Sequence, residues 1–156
     1  MSQWPAAQLN PVRQLRVLAE VLPGVGLVER VLDAPYERVW SFLTDLEQSV
    51  PAFDPMVRSL RVLSRQGSRL VVVTRTSFLP ISSRFEVELR DGWCLMRSGT
   101  YLVGMAAEPL GEQTRYAHLE GLPCHRAQAL RILRPVFRRV VSGDINGIIR
   151  TLATSR

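Results

Sequence analysis

Hydrophobic side chains recur along this chain with two different periods. Near the N-terminus, Val12, Leu15 and Leu18 recur at helical spacing, and Asn10 stands at the cap position before them. This pattern predicts a short amphipathic helix inside an N-terminal extension, residues 1–23. We expect the helix to pack on the rest of the protein, although its apolar side could also lie on a membrane surface or mediate pairing between chains.

The next segment combines a strand with two short helices. Residues 26–33 have the pattern of a strand, and Pro35 then stands at the first position of a helix, where a missing N–H costs nothing. Pro51 and Pro55 interrupt the helical pattern that follows. We therefore expect two short helices after the first strand.

From residue 57 to residue 121 the hydrophobic period changes to two. The clearest case is Phe85, Val87 and Leu89, which alternate with charged residues. Glycine- and proline-containing turns divide this stretch at intervals of roughly ten residues. Such alternation is typical of antiparallel strands with one buried and one exposed face. It predicts six strands, which with the first strand make seven.

The chain ends in a long predicted helix, residues 135–154, with a continuous apolar side. Gly143 and Gly147 are costly in a helix interior, so we expect them to mark either a close approach to the sheet or room left beside it. Residues 123–134 fit either a loop or a helical segment. The whole pattern predicts an α+β protein in which a curved, seven-stranded antiparallel sheet wraps the C-terminal helix.

Composition agrees with a single globular unit. The chain has 156 residues, of which 46% are hydrophobic and 22% charged. No apolar run approaches the ~20 residues that span a bilayer. The first ten residues lack the pattern of a secretory signal, so a cytoplasmic protein is expected. Cys94 and Cys124 match no zinc-binding spacing and are interpreted as free thiols.

The charge pattern argues against nucleic-acid binding. The net charge is +6, and all twenty basic residues are arginines. They are spread along the chain, and the densest group is not accompanied by an aromatic-rich nucleic-acid motif. That group comprises Arg126, Arg131, Arg134, Arg138 and Arg139. We interpret it as a solvated face.

The segment from Val31 to Trp40, Val-Leu-Asp-Ala-Pro-Tyr-Glu-Arg-Val-Trp, followed by Asp45, resembles the opening of the START-like (SRPBCC) superfamily. The superfamily includes pollen-allergen-like proteins and the polyketide cyclase/dehydrase and lipid-transport family. The resemblance covers residues 24–154 and implies a helix-grip domain, residues 24–156, with an internal cavity. It specifies a fold rather than a reaction, since members include lipid carriers, hormone receptors, aromatases and cyclases. It implies no cofactor here.

Strand alternation suggests which side chains face this cavity. Phe85, Val87 and Leu89 face inward, and the same parity on the neighbouring strands, with the apolar side of the last helix, completes the wall. The predicted ligand-binding residues are Val72, Thr74, Thr76, Phe78, Phe85, Val87, Leu89, Tyr101, Val103, Met105, Tyr116, His118, Phe137, Val141 and Ile148. Apolar walls with a few polar groups are typical of ligand pockets, although such groups can also satisfy one another in a filled core.

Four of the inward polar residues are candidates for catalysis: His118, Tyr101, Tyr116 and Asp144. A neutral imidazole in a cavity can act as a general base, although a histidine without an identified partner is more often structural. Asp144 could reach His118 if the two met across the cavity. No phosphate-binding loop, nucleophile elbow or zinc motif is present, so no metal site is predicted.

These observations leave three functional hypotheses. The first is binding or transport of a hydrophobic small molecule, such as a lipid, polyketide or isoprenoid. The alternative is an aromatase/cyclase-like enzyme acting on a polyketide. In the third, the N-terminal helix and the arginine-rich surface recruit a partner or make peripheral contact with an anionic membrane. The sequence leaves the oligomeric state open.

Overall fold

The computed structural model of the protein describes residues 9–124 and 128–154. The helices are α1 (Pro11–Val21), α2 (Tyr36–Thr44), α3 (Leu46–Phe53) and α4 (Arg134–Thr154), and a 3-10 helix (Gln128–Leu133) precedes α4. The strands are β1 (Val25–Leu32), β2 (Val57–Gln66), β3 (Arg69–Thr76), β4 (Ser82–Arg90), β5 (Trp93–Arg97), β6 (Leu102–Leu110) and β7 (Gln113–Gly121). Among the residues discussed above, Arg126 lies outside the described ranges.

The seven strands form one antiparallel sheet in the order β1-β7-β6-β5-β4-β3-β2. Strands β2 to β7 follow one another as hairpins, and β1 adds to the far edge by pairing with β7, with Val25 opposite Gly121. The predicted fold class is confirmed: an α+β helix-grip fold with two short helices after the first strand and a long C-terminal helix. No helix in the described ranges is long and apolar enough to cross a bilayer.

One face of the sheet holds the main core. Helix α4 packs against β1 and β7, and α3 packs against β2 and α4. The close approach of α4 to β1 depends on Gly26, where a Cβ would lie 2.4 Å from the backbone nitrogen of Arg138. Val141, Ile145 and Ile148 of α4 are fully buried against this face. The helix therefore covers the β1–β7 side of the sheet and leaves the middle strands to other elements.

On the opposite face of the sheet, α1 packs over β6, β7 and β1. Val12 and Leu15 are buried in a second apolar cluster with Trp93, Leu102 and Leu119 from the middle of the sheet. Asn10 caps the helix by accepting a hydrogen bond from the Arg13 N–H, as its sequence suggests. The packing expected for this helix is therefore observed.

Arg134 ties the end of α1 to the start of α4. Its guanidinium donates to the carbonyl oxygens of Ala19, Leu22 and Pro23 at 2.9, 3.2 and 3.1 Å. These are carbonyls that the end of a helix leaves without an intrahelical partner. One member of the group interpreted as a solvated face therefore has a structural role.

Two predicted placements need correction. Phe78 was expected inside, but β3 ends at Thr76, so the strand alternation does not reach Phe78, which is 73% exposed in the following turn. Gly147 does mark a close approach, but to α3 rather than to the sheet, because the backbone of Phe53 at the end of α3 packs against this part of α4. Gly143 is exposed, with open space beside it.

These two glycines form a matched pair for a stability test. In Gly147→Ala the new Cβ would lie 2.6 Å from the carbonyl oxygen of Phe53 and 3.0 Å from its Cα, so α3 or α4 must shift. We expect the free energy of unfolding to fall by about 1–3 kcal/mol. Gly143→Ala meets no atom within 4 Å and should raise it by about 0.5–1 kcal/mol. Urea denaturation measures both values, and a stabilising Gly147→Ala would contradict the close packing of α3 on α4.

Candidate functional site

A cavity of about 400 Å³ lies over the middle strands of the sheet, between α3 and α4. Its apolar wall is formed by Val50, Phe53, Met56, Val57, Phe85, Met96, Val103, Met105 and Val140. Its polar lining consists of Asp54, Thr74, Thr76, Ser83, Ser98, Thr100, Tyr101 and Glu120. Volume and lining are those of a small-molecule pocket, largely apolar with a few groups that could orient a guest.

The structure divides the predicted ligand-binding residues into three groups. Six line the cavity: Thr74, Thr76, Phe85, Tyr101, Val103 and Met105. Seven others are buried in the packed core beside it: Val72, Val87, Leu89, Tyr116, His118, Val141 and Ile148. Phe137 is half-buried and packs against Tyr101 with ring centroids 5.9 Å apart, and Phe78 lies outside. The cavity is therefore shorter than the sequence predicted, because apolar side chains fill its inner part.

Two acidic lining residues were missed by the sequence analysis. Glu120 follows Tyr116 and His118 at every second position of β7, so the parity that placed those two residues inside also places Glu120 there. Asp54 follows α3, and its position depends on how α3 packs, which strand alternation does not reveal. Both carboxyl groups reach the polar end of the cavity.

Tyr116, His118 and Glu120 form a continuous hydrogen-bonded chain on the inner face of β7. The hydroxyl of Tyr116 lies 3.1 Å from His118 Nδ1, and His118 Nε2 lies 3.1 Å from Glu120 Oε1. The Tyr101 hydroxyl, from the start of β6, donates to Glu120 Oε2 at 2.8 Å. Because an ionised carboxylate only accepts, His118 Nε2 carries the hydrogen of its bond to Glu120. Both oxygens of Glu120 therefore accept a hydrogen bond.

The protonation of these groups follows from their surroundings. Burial alone would raise the pKa of Glu120, but the hydrogen bond and the charge interaction with His118, followed by hydrogen bonds from Tyr101 and Asp144, lower it overall, so the group is ionised at neutral pH. Burial, and then the charge and hydrogen bond of Glu120, raise the pKa of Tyr101. Burial also raises the pKa of Tyr116. Both tyrosines therefore keep their protons at neutral pH.

Asp144 of α4 faces this chain from the other side. Its carboxyl group is 2% exposed, and burial followed by the charge of Glu120 raises its pKa from 3.8 to about 9. It is therefore protonated at neutral pH and shares its proton with Glu120. Its Oδ2 atom has no hydrogen-bond partner. His118 and Asp144 lie near each other, with possible ligand atoms within 4.8 Å, but each makes its contact with Glu120.

The polar end of the cavity carries acidic groups without a basic one. Asp54 accepts from the Met56 N–H at 2.8 Å, and burial, followed by the nearby Glu120, raises the pKa of Asp54. None of the described lining residues is arginine, lysine or histidine. His118, Glu120 and Asp144 place one possible metal-ligand atom each within 4.8 Å of one another, but these atoms hydrogen-bond among themselves.

Of the four catalytic candidates, only Tyr101 lines the cavity. His118 and Tyr116 are completely buried behind Glu120, and Asp144 is on the helix side of the same cluster. Acid–base chemistry on a guest would therefore have to pass through Glu120 and Tyr101, with the other three groups acting behind them.

The chain has sequence similarity to a curated protein. It is 30% identical to the mitochondrial steroidogenic acute regulatory protein of Gallus gallus over 78% of this chain. The aligned region is 44% of that protein, so the chain spans less than half the length of this relative. No family model matches the chain.

Solved structures share its architecture. A protein from Thermus thermophilus superposes with a TM-score of 0.62 at 23% identity, covering 84% of this chain and 98% of that one. The Zhui aromatase/cyclase from Streptomyces sp. R1128 gives a TM-score of 0.62 at 16% identity, covering 83% and 94%. A START superfamily protein from Mycobacterium smegmatis gives 0.57 at 13% identity, covering 82% and 98%. Identities this low show a shared fold only.

The protonated Asp144 makes a testable contribution to stability. Its pKa is higher in the folded state than the unfolded value of 3.8, so the folded state holds more protons between about pH 4 and pH 9. Stability from this group is complete below pH 4 and is lost as pH rises through 9, with a slope of at most about 1.4 kcal/mol per pH unit. Asp144→Asn mimics the protonated group. In this variant, the free energy of unfolding measured by urea denaturation should fall less steeply from pH 5 to pH 9.

The control is Asp33→Asn, since Asp33 is exposed at the end of β1. This variant should keep the slope of the unmodified protein. An Asp144→Asn profile parallel to that of the unmodified protein would show that Asp144 is ionised throughout and would contradict the shared proton.

Proposed function

From its START-like helix-grip fold, we propose that the chain binds or carries a hydrophobic small molecule in the cavity between α3, α4 and the middle of the sheet. The single observation that carries the proposal is an apolar cavity of about 400 Å³ that the protein's own side chains leave open. The similarity to a steroidogenic regulatory protein supports a hydrophobic guest. Lipids, polyketides and isoprenoids are the candidate classes.

The shape of the cavity favours a compact guest. The inner part is filled by residues such as Val72 and Val87, which are at most 3% exposed. The guest would pack on Phe85, Val103 and Met105 and place a polar group near Glu120. The hydroxyl groups of Thr74 and Thr76 lie along the wall and could add hydrogen bonds to it.

Filling the cavity should abolish binding. Val103→Trp replaces a lining side chain with one that occupies much of the space, whereas Val31→Trp adds the same ring at a residue of β1 that is 50% exposed. We expect Val103→Trp to weaken binding of the neutral apolar dye Nile red by at least about tenfold, because the Trp ring occupies the cavity volume that the dye would fill. Fluorescence titration measures the affinity, and native mass spectrometry reports any guest carried from the cell.

Val31→Trp should bind like the unmodified protein, and circular dichroism should show that both variants are folded. If Val103→Trp binds the dye as well as Val31→Trp does, the cavity is not the binding site and the proposal fails.

A second candidate function is an aromatase/cyclase-like reaction on a polyketide. The hydrogen-bonded chain Tyr116–His118–Glu120–Tyr101 favours it, because its outer end lies in the cavity. Glu120 would accept a proton from a carbon next to a carbonyl group, and the Tyr101 hydroxyl would hydrogen-bond to that carbonyl oxygen. His118 would position Glu120. A short cavity with converging polar groups suits this chemistry better than a long tunnel would.

The enzymatic alternative predicts a specific order of effects. With a linear poly-β-ketone as substrate, Glu120→Gln should abolish cyclised product, and Tyr101→Phe should reduce it by about 10²–10⁴-fold, the usual loss when a positioned acid or base is removed. Liquid chromatography with mass spectrometry measures the products. Arg115→Gln, which removes only the surface ion pair with Glu108, is the control. Product formation that is unchanged in both cavity variants would reject these roles.

A further inference from the structure

The connection between β3 and β4, residues 77–81 (the β3–β4 loop), presents three large apolar side chains to solvent. Phe78 is 73% exposed, Leu79 60% and Ile81 50%. Single exposed apolar residues are common on protein surfaces, but a contiguous group of large ones marks a contact site. The predicted apolar side of α1, by contrast, already packs on the sheet. This loop therefore offers apolar surface that nothing in the described part of the chain covers.

Hydrogen bonds within the β3–β4 loop fix its shape. The Ile81 N–H donates to the Leu79 carbonyl oxygen at 2.7 Å, and the Thr76 hydroxyl donates to the same oxygen. The Thr76 N–H donates to the Ile81 carbonyl oxygen at 3.1 Å and closes the loop. A further hydrogen bond joins the Ser77 N–H to the Met56 carbonyl oxygen at 2.9 Å. Several backbone polar groups of the loop are therefore paired, which lowers the cost of moving it into an apolar medium.

The loop adjoins the cavity. Thr76 lines both the cavity and the surface depression that the loop borders. Met56 and Val140 also line the cavity, and they are 53% and 39% exposed, so apolar side chains form part of its rim. A surface that contacted the loop would therefore lie close to the rim of the cavity.

The charged neighbours of the loop are arginines. Arg58 of β2 and Arg75 of β3 line the depression beside it, both are exposed, and no acidic residue is among the described residues that line it. Neither guanidinium forms an ion pair with another described residue. Exposed apolar side chains are thus combined with uncompensated positive charge, and these two features together attract a protein to an anionic membrane.

We propose that the β3–β4 loop docks the protein on a bilayer that contains anionic lipid. Phe78, Leu79 and Ile81 enter the headgroup region, while Arg58 and Arg75 contact lipid phosphates. A second copy of the chain fits this surface less well, because a symmetric contact would bring the arginines of both copies together. The inference goes beyond the proposed binding of a hydrophobic small molecule, since docking needs no guest in the cavity. It would place the rim of the cavity beside the bilayer.

Vesicle flotation tests docking on the full chain. Vesicles of equimolar phosphatidylcholine and phosphatidylglycerol should bind the protein at least about tenfold more tightly than vesicles of phosphatidylcholine alone, and added salt should weaken this binding. Phe78→Ser/Leu79→Ser should reduce the affinity for the anionic vesicles by at least about tenfold, because these two side chains no longer transfer apolar surface out of water. The control Val17→Ser/Val21→Ser removes two exposed apolar side chains from α1 and should bind like the unmodified protein.

A second pair of variants separates local charge from net charge, because a net charge of +6 attracts the whole protein to anionic vesicles. Arg58→Gln/Arg75→Gln and the control Arg13→Gln/Arg30→Gln lower the net charge equally. Arg13 and Arg30 are exposed on α1 and on β1, which is at the opposite edge of the sheet from β2. The loop-side variant should weaken binding at least about threefold more than the control, since exposed charges act over about 10 Å at ordinary salt.

Each other outcome overturns the inference, provided that circular dichroism shows the variants folded. Unchanged vesicle binding by Phe78→Ser/Leu79→Ser would exclude the loop from the contact, and a loss only in Val17→Ser/Val21→Ser would assign the contact to α1. Equal binding to both kinds of vesicle would reject the selection of anionic lipid. A protein that binds no vesicles, sediments as a dimer and becomes monomeric in the loop variant would make a second copy the occupant. Val103→Trp should still bind vesicles, so failure of docking is distinguishable from failure of the proposed function.

Discussion

The inner face of the sheet is much wider than the helix that packs on it, and the cavity is a consequence of this mismatch. Seven strands spaced about 4.8 Å apart span about 29 Å, whereas a helix with its side chains is about 10 Å across. Helix α4 covers the β1–β7 side, and α3 covers β2 at the other edge. Between them, α2 packs on β6 and β7, and about 400 Å³ over the middle strands is left open. On the outer face, α1 packs over β6, β7 and β1.

The polar cluster is held by the same arrangement. Strand β7 lies under α4, so the inward residues Tyr116, His118 and Glu120 are cut off from water and must satisfy one another. They do so as a chain that ends at Tyr101, while Asp144 enters from α4 and takes up the proton that two adjacent carboxylates cannot both lose. The result is a hydrogen-bonded polar cluster at one end of an otherwise apolar cavity, and this combination underlies both proposed functions.

Much of the fold could be predicted from the sequence, since it depends on local patterns. The alternation at Phe85, Val87 and Leu89 identified a strand with one buried face, and the structure buries all three. The cap at Asn10 placed α1 correctly. The alternation did not extend to Phe78, because where a strand ends depends on the turn that follows it. The contact made by Gly147 involves α3, and no periodicity reveals which element a helix meets.

The candidate site was harder to predict than the fold, because facing inward is different from lining a cavity. Val72 and Val103 both face inward, yet only Val103 borders open space. The parity of β7 contained the signal for Glu120. The position of Asp54 at the cavity depends on how α3 packs, which strand alternation does not reveal. The most direct test of the whole account is a crystal structure of the chain purified without added ligand. We expect open or guest-filled space of about 400 Å³ between α3 and α4, with the Glu120 carboxylate at its inner end. An interior closed by Phe85, Val103 and Met105, with Glu120 turned toward solvent, would contradict the account.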